Sequence, residues 1–429
     1  MTPPPAPGRF RWYLGTLLFI ATTLYYYDRQ IFTFAVNSTN PEYAALIRFL
    51  GPDGKVDNVL FGYIDTAHKI AYAVGFLLMG RFIDRIGLRR GFAIGMTLWS
   101  LATAALVFCH SFWSLFAGML VLGFFQATDH PACVKLVAEW FPATERSVAV
   151  AYYNSGTNFG AMIVSLAVPA ITLALGWRMG YLVPAAVGLA WVVAWLLAYG
   201  PPETHPRIGA AERAHIVGQR TVSAAVHVPF ARLFTVKPVW GFALAKFLID
   251  PVWFIYLTWL PKIFKETYGV DFKKLFIPVM FIYTVSLVGN FVGGGISTAI
   301  LRRGHSLNRA RKLAMLGFAL LAVPSFVSAF LSNVWIVVGI IGVVTFAHQA
   351  FSTLLLTTVA DVFRRDVTAS VTGFGGMLGA AGGVLAAVAA GYVSATFGYT
   401  PLFFFGSFAY LAALGILHLL NPRLEPAAL

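Results

Sequence analysis

The residues best suited to chemistry lie near the end of the first long apolar stretch, where Tyr25-Tyr26-Tyr27-Asp28-Arg29 follow one another. A guanidinium in hydrocarbon costs roughly 2.5 to 3.5 kcal/mol on insertion scales, so an arginine in a membrane span normally faces a cavity or a partner. Its planar fork suits the two oxygens of a carboxylate. We therefore predict an anion-binding site at Arg29. Two alternatives remain, in which Asp28 and Arg29 neutralise each other or Arg29 extends to a membrane interface.

A second polar group lies in the next apolar stretch, which contains Asp65, His68 and Lys69. Asp65 and Lys69 are one helical turn apart, and an ion pair between them would lower the cost of both charges in hydrocarbon. This pair is the favoured interpretation. The alternative makes Lys69 a second cationic contact for an anionic ligand, because Tyr72 lies one turn beyond His68 on the same face. A doubly anionic ligand would favour that alternative.

Several later stretches carry side chains that could hydrogen-bond a ligand, namely Asn154, Asn158, His348, Ser352 and Thr372. Polar residues in spans also hold helices together, and the sequence favours neither role for the asparagines. No grouping of His, Cys and carboxylates has metal-ligand spacing, so we expect neither a metal nor another cofactor.

These residues must be positioned by a membrane protein. With 59% hydrophobic residues, 11% charged residues and a mean hydropathy of +0.75 over 429 residues, the chain has too few polar groups for a water-soluble globule. A helix needs about 20 apolar residues to cross a bilayer. About twelve such stretches occur, near 12–34, 58–80, 92–110, 112–138, 147–171, 178–199, 239–264, 274–300, 312–331, 334–360, 367–396 and 400–420. Asp250-Pro251 interrupts the seventh stretch, where a proline could form a hinge.

The net charge of +14 does not indicate nucleic acid, because the basic residues lie in short loops on one side of the predicted spans. Such a bias places those loops in the cytoplasm, so we expect both termini to be cytoplasmic. The N-terminal segment lacks the pattern of a cleaved signal peptide. Only Cys109 and Cys133 are present, so no disulfide framework is available.

A tight loop is predicted between the second and third stretches, with the sequence GRFIDRIGLRRG from Gly80 to Gly91. It resembles the signature loop of the major facilitator superfamily of transporters, whose conformational residues would here be Gly80, Asp84, Arg85, Gly87 and Arg89. A weaker copy, GGISTAILRRG, runs from Gly294 to Gly304. This repeat and the polar segment after the sixth stretch predict an all-α membrane protein with that superfamily's fold. Twelve transmembrane helices would form two pseudo-symmetric six-helix halves, residues 1–200 and 239–429, joined by a cytoplasmic linker, 201–238, with a possible short helix at 210–218.

A closer resemblance lies in FFQATDHPACVKLVAEWFPATERSVAVAYYNSGTNFGAMI, which begins two residues before Gln126 and looks like the anion:cation symporter family, particularly its bacterial hexuronate and aldonate members. DPVWFIYLTWLPKIFKETYG, RRGHSLNRARK and AHQAFSTLL extend the match over nearly the whole chain. The resemblance implies proton-coupled uptake of an organic anion by alternating access. It also implies that Tyr26, Arg29 and Tyr72 contact the substrate.

One position departs from the family pattern. Where relatives carry a glutamate that is taken to bind the coupling proton, this chain has Gln126, and a glutamine cannot titrate. Asp129 lies three residues further on and could substitute, or it could only cap or pair near Pro131. Asp28 then becomes the leading titratable group near the substrate.

The sequence therefore predicts a transporter, not an enzyme, that imports an organic monocarboxylate such as a hexuronate or related sugar acid by proton symport. The alternatives are a proton-independent uniporter or exchanger of organic anions, or a carboxylate-binding membrane sensor that transports nothing. We expect a monomer in the inner membrane of a bacterium, with the lipid bilayer, the anion and protons as its partners.

Overall fold

The computed structural model describes residues 8–36, 50, 57–218, 228–268 and 276–427, and within these ranges every regular element is helical. The first set of helices is α1 (Phe10–Val36), α2 (Asn58–Ile86), α3 (Leu88–Ala105), α4 (Phe112–Gln126), α5 (Asp129–Trp140), α6 (Ala143–Leu175) and α7 (Trp177–Ala198). Two short helices follow, α8 (Ala210–Val217) and α9 (Phe230–Leu233). The second set is α10 (Lys237–Tyr268), α11 (Phe276–Arg302), α12 (Leu307–Ala322), α13 (Val334–Val362), α14 (Thr368–Phe397) and α15 (Thr400–Leu420).

Ten stretches of the described chain are long and apolar enough to cross a membrane. One of them joins α4 and α5 into a single bent span, Phe112–Trp140. Helices α1 and α2, with 27 and 29 residues, are equally long but less apolar, because they carry the polar residues singled out above. Counted together, the described residues contain twelve long spans, six before residue 200 and six after residue 236.

The predicted loop from Gly80 to Gly91 is wrong in its extent, because most of it is helical. Helix α2 continues to Ile86 and α3 begins at Leu88, so that Gly87 alone separates them. Gly87 has a φ of 87°, which only glycine adopts without strain. Gly304, in the weaker copy of the motif, has a φ of 86°. We call the end of the bundle that carries these two arginine-flanked glycines the basic end.

The two helix sets cross closely near the basic end. A Cβ atom on Gly80 of α2 would collide with the carbonyl oxygen of Ala369, and one on Gly373 of α14 would collide with that of Phe76. A Cβ on Gly294 of α11 would likewise meet the carbonyl of Ser147 on α6. Glycine at these positions therefore permits direct backbone contact between the sets.

A polar clamp closes the same end. The carboxylate of Asp84 accepts hydrogen bonds from Lys135 Nζ at 2.6 Å and from the backbone N–H of Ser370, in the first turn of α14, at 2.6 Å. The backbone N–H groups at the N-terminus of a helix, which have no partner within the helix, stabilise such a negative charge. In contrast, Arg85 is exposed, and Arg89 donates to the carbonyl of Leu196 at 2.6 Å. Among the described residues, Asp84 thus pairs with Lys135 and the helix end, and not with Arg85 or Arg89.

A second ionic contact of the clamp is centred on Asp361 of α13. Its carboxylate lies 3.0 Å from Arg146 Nη1 on α6 and 2.9 Å from Arg311 Nε on α12. Arg311 is fully buried and also donates to the carbonyl of Ala143 at 3.0 Å. The clamp thus joins the first helix set to the second.

The short helix expected at 210–218 is α8, which is attached to the first helix set. Glu212 accepts hydrogen bonds from Arg11 Nη1 at 3.1 Å, and Arg11 also contacts Glu145 at the start of α6 through Nε at 2.7 Å. Residues 219–227 of the predicted linker lie outside the described residues, and the division at 200 and 238 stays a prediction.

The glycine contacts lead to the first testable prediction. Gly80→Ala should destabilise the protein by about 1–3 kcal/mol, because the added methyl has no space beside Ala369. The measurement is the midpoint of thermal unfolding of the purified protein in detergent. Gly62→Ala on the same helix is the matched control, since no atom lies within 4 Å of its added Cβ. Equal midpoints for the two variants would contradict the close-contact interpretation.

Candidate functional site

A cavity of about 90 Å³ lies between the two helix sets. The wall is formed by α1, α2, α5 and α6 from the first set and by α10, α13 and α14 from the second. The lining residues are Tyr25, Tyr26, Arg29, Tyr72, Phe76, His130, Asn154, Thr157, Lys246, Asp250, Trp253, Phe254, His348, Gln349, Ser352, Gly376 and Ala380.

Arg29 lines this cavity. Among the described residues it has no carboxylate as an ion-pair partner. Its Nη1 donates to the hydroxyl of Tyr25 at 2.8 Å. The guanidinium carbon lies over two rings, 5.3 Å from the centroid of Tyr72 and 5.2 Å from that of Phe254. Aromatic faces attract a cation but leave its N–H donors free. The site therefore contains a half-buried guanidinium that is suited to binding an anion.

Tyrosines hold Arg29 in place and connect the two helix sets. The hydroxyls of Tyr25 and Tyr72 are 2.5 Å apart, and their rings stack with centroids 5.9 Å apart. The hydroxyl of Tyr26 accepts a hydrogen bond from Trp253 Nε1 at 2.9 Å, which links α1 to α10. Tyr25 was missed by the sequence analysis. Its position one turn before Arg29 was the signal, because side chains at i and i+4 of a helix are neighbours.

The predicted proximity of Asp28 to the ligand is not what the structure shows. Asp28 is buried against α3, where its Oδ2 accepts hydrogen bonds from Trp99 Nε1 at 2.6 Å and Thr103 Oγ1 at 3.2 Å. Successive helical residues point about 100° apart, so Asp28 and Arg29 face different neighbours. The alternative in which these two residues neutralise each other is therefore wrong for this structure.

The other two positions considered for proton coupling also lie behind the cavity wall. Gln126 Oε1 is 2.9 Å from His68 Nε2, and neither side chain lines the cavity. Asp129 is fully buried and accepts a hydrogen bond from Thr22 Oγ1 at 3.1 Å. Its carboxylate is also 3.3 Å from Nδ1 of His130, which does line the cavity. The side chain of His130 thus lies between Asp129 and the cavity.

Buried amides form a hydrogen-bonded network between the sets at mid-height. Asn154 Nδ2 donates to Asn290 Oδ1 at 2.8 Å and to Gln349 Oε1 at 3.3 Å. Gln349 Nε2 in turn donates to Asn158 at 3.4 Å. Asn154 therefore holds helices together and also lines the cavity, whereas Asn158 has only the first of these placements. Asn154 therefore fits both explanations offered for the asparagines, and Asn158 fits only the structural one.

The structure brings some predicted ligand contacts to the cavity and not others. Lys69 pairs with Asp65 at 2.6 Å outside the cavity, which is the arrangement favoured from the sequence. Thr372 donates to the carbonyl of Thr368 at 2.8 Å and does not line the cavity. The predicted residues that do line it are Arg29, Tyr26, Tyr72, Asn154, His348 and Ser352.

Sequence reasoning missed the contribution of α10. Lys246 and Asp250 line the cavity and form an ion pair at 2.8 Å, and Trp253 stacks on His348 with centroids 5.2 Å apart. Asp250-Pro251 was expected to interrupt this stretch and form a hinge, but α10 continues through both residues as one helix. The i, i+4 spacing of Lys246 and Asp250 was the available signal.

The comparisons with known proteins agree with this architecture. The model of the family described as Major Facilitator Superfamily matches residues 18–387. The hexuronate transporter of Escherichia coli (strain K12) is 29% identical over 402 residues, covering 92% of this chain and 90% of the relative. A probable galactarate/D-glucarate transporter of Bacillus subtilis (strain 168) is 27% identical over 444 residues, covering 98% and 94%.

A solved structure also shares the fold. The proton:xylose symporter bound to 6-bromo-6-deoxy-D-glucose superposes with a TM-score of 0.75 at 13% sequence identity, covering 95% of each chain. At that identity the likeness concerns the fold alone.

The geometry around Arg29 predicts the effect of a single hydroxyl. Tyr25→Phe should weaken binding of a sugar acid such as D-glucuronate about tenfold, because Arg29 and Tyr72 each lose a hydrogen-bond partner. Isothermal titration calorimetry on the purified protein measures this. Tyr63→Phe is the control, since Tyr63 is on α2 but 58% exposed and outside the cavity. Equal affinities in the two variants would show that Tyr25 does not position the guanidinium.

Proposed function

This chain belongs to the major facilitator superfamily, and we propose that it imports a sugar acid, such as a hexuronate, by alternating access coupled to protons. The family and its named relatives are transporters, so the predicted class of protein, a transporter rather than an enzyme, is confirmed. The predicted fold class is also confirmed, an all-α membrane protein with twelve transmembrane helices in two pseudo-symmetric halves. The chain is a multi-pass membrane protein.

The observation that carries the substrate proposal is the unpaired guanidinium of Arg29 in a cavity between the two helix sets. A cation in that position has lost much of its hydration, and a carboxylate can replace it with two parallel hydrogen bonds. The surrounding wall supplies the hydroxyl of Tyr72, the amide of Asn154 and the hydroxyl of Ser352. These donors and acceptors suit the hydroxyl groups of a sugar acid, and aromatic rings suit its apolar face.

The contacts between the helix sets support alternating access. The clamp closes the basic end, where Asp84 and Asp361 join the sets. The described hydrogen bonds between the sets run from this clamp to Tyr26 and Asn158 beside the cavity. We infer from the positive-inside rule that the arginine-rich turns and both termini are cytoplasmic, so that the clamp closes the cytoplasmic side. We place the protein in the inner membrane of a bacterium.

Proton coupling is proposed on energetic grounds. Moving an anion toward a negative interior costs about 2.3 kcal/mol per charge per 100 mV, and one accompanying proton removes that cost. Asp28 and Asp129 are buried in the first helix set, and each is a group that could carry the proton. Because Gln126 replaces the titratable residue of similar transporters and is hydrogen-bonded to His68, uniport or anion exchange is the second candidate.

The role of Arg29 can be tested by binding. Arg29→Ala should abolish the thermal stabilisation of the purified protein by D-glucuronate and D-galacturonate, because the carboxylate loses its charged partner. Arg29→Lys should restore only part of it, since an ammonium cannot make the bidentate contact. Full stabilisation of the alanine variant by the same acids would remove the basis of the substrate proposal.

Coupling can be tested in proteoliposomes. An imposed inward proton gradient should drive accumulation of labelled D-glucuronate above its external concentration, and the external medium should become more alkaline during uptake. Counterflow in the absence of a gradient provides the control for active protein. Counterflow without any response to the proton gradient would favour the uniporter or exchanger instead.

A further inference from the structure

Asp250 is the one carboxylate that lines the cavity among the described residues. It lies one turn after Lys246 on α10, and the two side chains form an ion pair at 2.8 Å. Both side chains are mostly buried, with 12% of Lys246 and 17% of Asp250 exposed. The cavity therefore contains a second cation besides Arg29, and this one is already neutralised.

Asp250 has fewer partners than four other carboxylates within the spans. Lys246 is the only ion-pair or hydrogen-bond partner of Asp250 in the described part of the chain. Asp65 likewise has a single cation, Lys69, but that pair lies outside the cavity. At least two donors or cations hold each of the four others, namely Asp28, Asp84, Asp129 and Asp361. A buried carboxylate with a single partner is the one most easily released, because fewer interactions must be replaced.

The neighbouring helix leaves the pair without a competing side chain. A Cβ atom on Gly379 of α14 would collide with Asp250 Oδ2 and lie 3.4 Å from Lys246 Cε. The backbone of α14 thus packs directly against the pair from one side, and the cavity lies on the other. Lys246 and Asp250 are both part of the cavity wall.

The two cations line the same cavity, so a ligand with two carboxylates has a cation for each. Phe254, whose ring lies beside the guanidinium of Arg29, is two helical turns after Lys246. The Cα atoms of Lys246 and Phe254 are therefore about 12 Å apart along the axis of α10.

We propose that Lys246 and Asp250 form a second anion subsite, which admits sugar acids with a carboxylate at each end. The second carboxylate of such an acid replaces Asp250 as the partner of Lys246 while Arg29 holds the first. A proton from solution then binds a carboxylate oxygen of the released Asp250, because a buried carboxylate without a cation disfavours its charged form. The subsite's charge rises by one as the second negative charge enters. The inference rests on the proposed function, because it assumes that Arg29 binds a carboxylate.

Several other titratable or charged groups face the pair. They are Tyr26 and Arg29 on α1, His348 on α13, and Tyr410 on α15. Among them only His348 has an ordinary titration range near neutral pH, and its Nδ1 is hydrogen-bonded to Tyr410 at 3.0 Å. A pH-dependence test must therefore separate Asp250 from His348.

The test compares D-glucarate, with two carboxylates, and D-glucuronate, with one, by titration calorimetry of the purified protein between pH 6 and 8. In the wild type, the affinity for D-glucarate relative to D-glucuronate should rise about tenfold as the pH falls. Asp250→Asn imitates the protonated acid, so its preference for D-glucarate should be high and independent of pH. His348→Gln should keep the pH dependence of the wild type.

Removal of the cation supplies the second arm. Lys246→Gln combined with Asp250→Asn leaves no unpaired charge, and it should lower D-glucarate affinity about tenfold or more while D-glucuronate still binds. Lys246→Arg in the Asp250→Asn background should restore the preference. Asp65→Asn is the matched control, because Asp65 belongs to an identically spaced pair outside the cavity.

The outcomes separate the two proposals. If D-glucuronate does not bind the wild type, or binds independently of Arg29, the proposed function fails. If it binds through Arg29 but the double variant retains the wild-type preference and its pH dependence, the second subsite is overturned and the proposed function stands. Binding of D-glucuronate by each variant also shows that the variant is folded.

Discussion

The cost of placing a charge in hydrocarbon governs this structure. Each ionised side chain within a span must find a partner, and most do so in compact groups away from the cavity. Asp361 lies between Arg146 and Arg311, and Asp84 lies between Lys135 and the first turn of α14. Arg29 stands apart, because aromatic faces and a tyrosine hydroxyl surround it where a carboxylate would be expected. Under the proposed function, a substrate supplies the missing carboxylate.

The charged groups therefore divide by location. Those at the basic end bind one helix set to the other and have several partners each, so they stabilise one closed arrangement. Those in the cavity have few partners among the residues that the structure describes, since Arg29 has none that is negative and Asp250 has one. A transporter needs both kinds, because binding energy at the cavity must compete with the contacts that keep one end closed.

Much of this could be predicted from the sequence, for identifiable reasons. Apolar stretches of sufficient length predict spans directly, and a lone arginine within one predicts a site. The direction in which adjacent side chains point was harder to predict. Asp28 and Arg29 are adjacent in sequence, but the helix turns them toward α3 and the cavity respectively, and only tertiary packing shows what each one meets. The spacing of Lys246 and Asp250 indicated a pair, but the packing of Gly379 of α14 against it, from more than a hundred residues away in sequence, could not be predicted.

Helix α14 connects the two groups of charges physically. Its first turn is bound by Asp84 at the basic end, and nine residues later Gly379 packs against the pair of Asp250 and Lys246. Between these points Gly373 and Gly376 pack against the backbone and ring of Phe76 on α2. Opening the basic end requires the bond between Asp84 and Ser370 to break, and a rigid α14 then cannot keep all of these contacts unchanged. The glycines that allow the two sets to touch thus also make the packing around the cavity dependent on whether the basic end is closed.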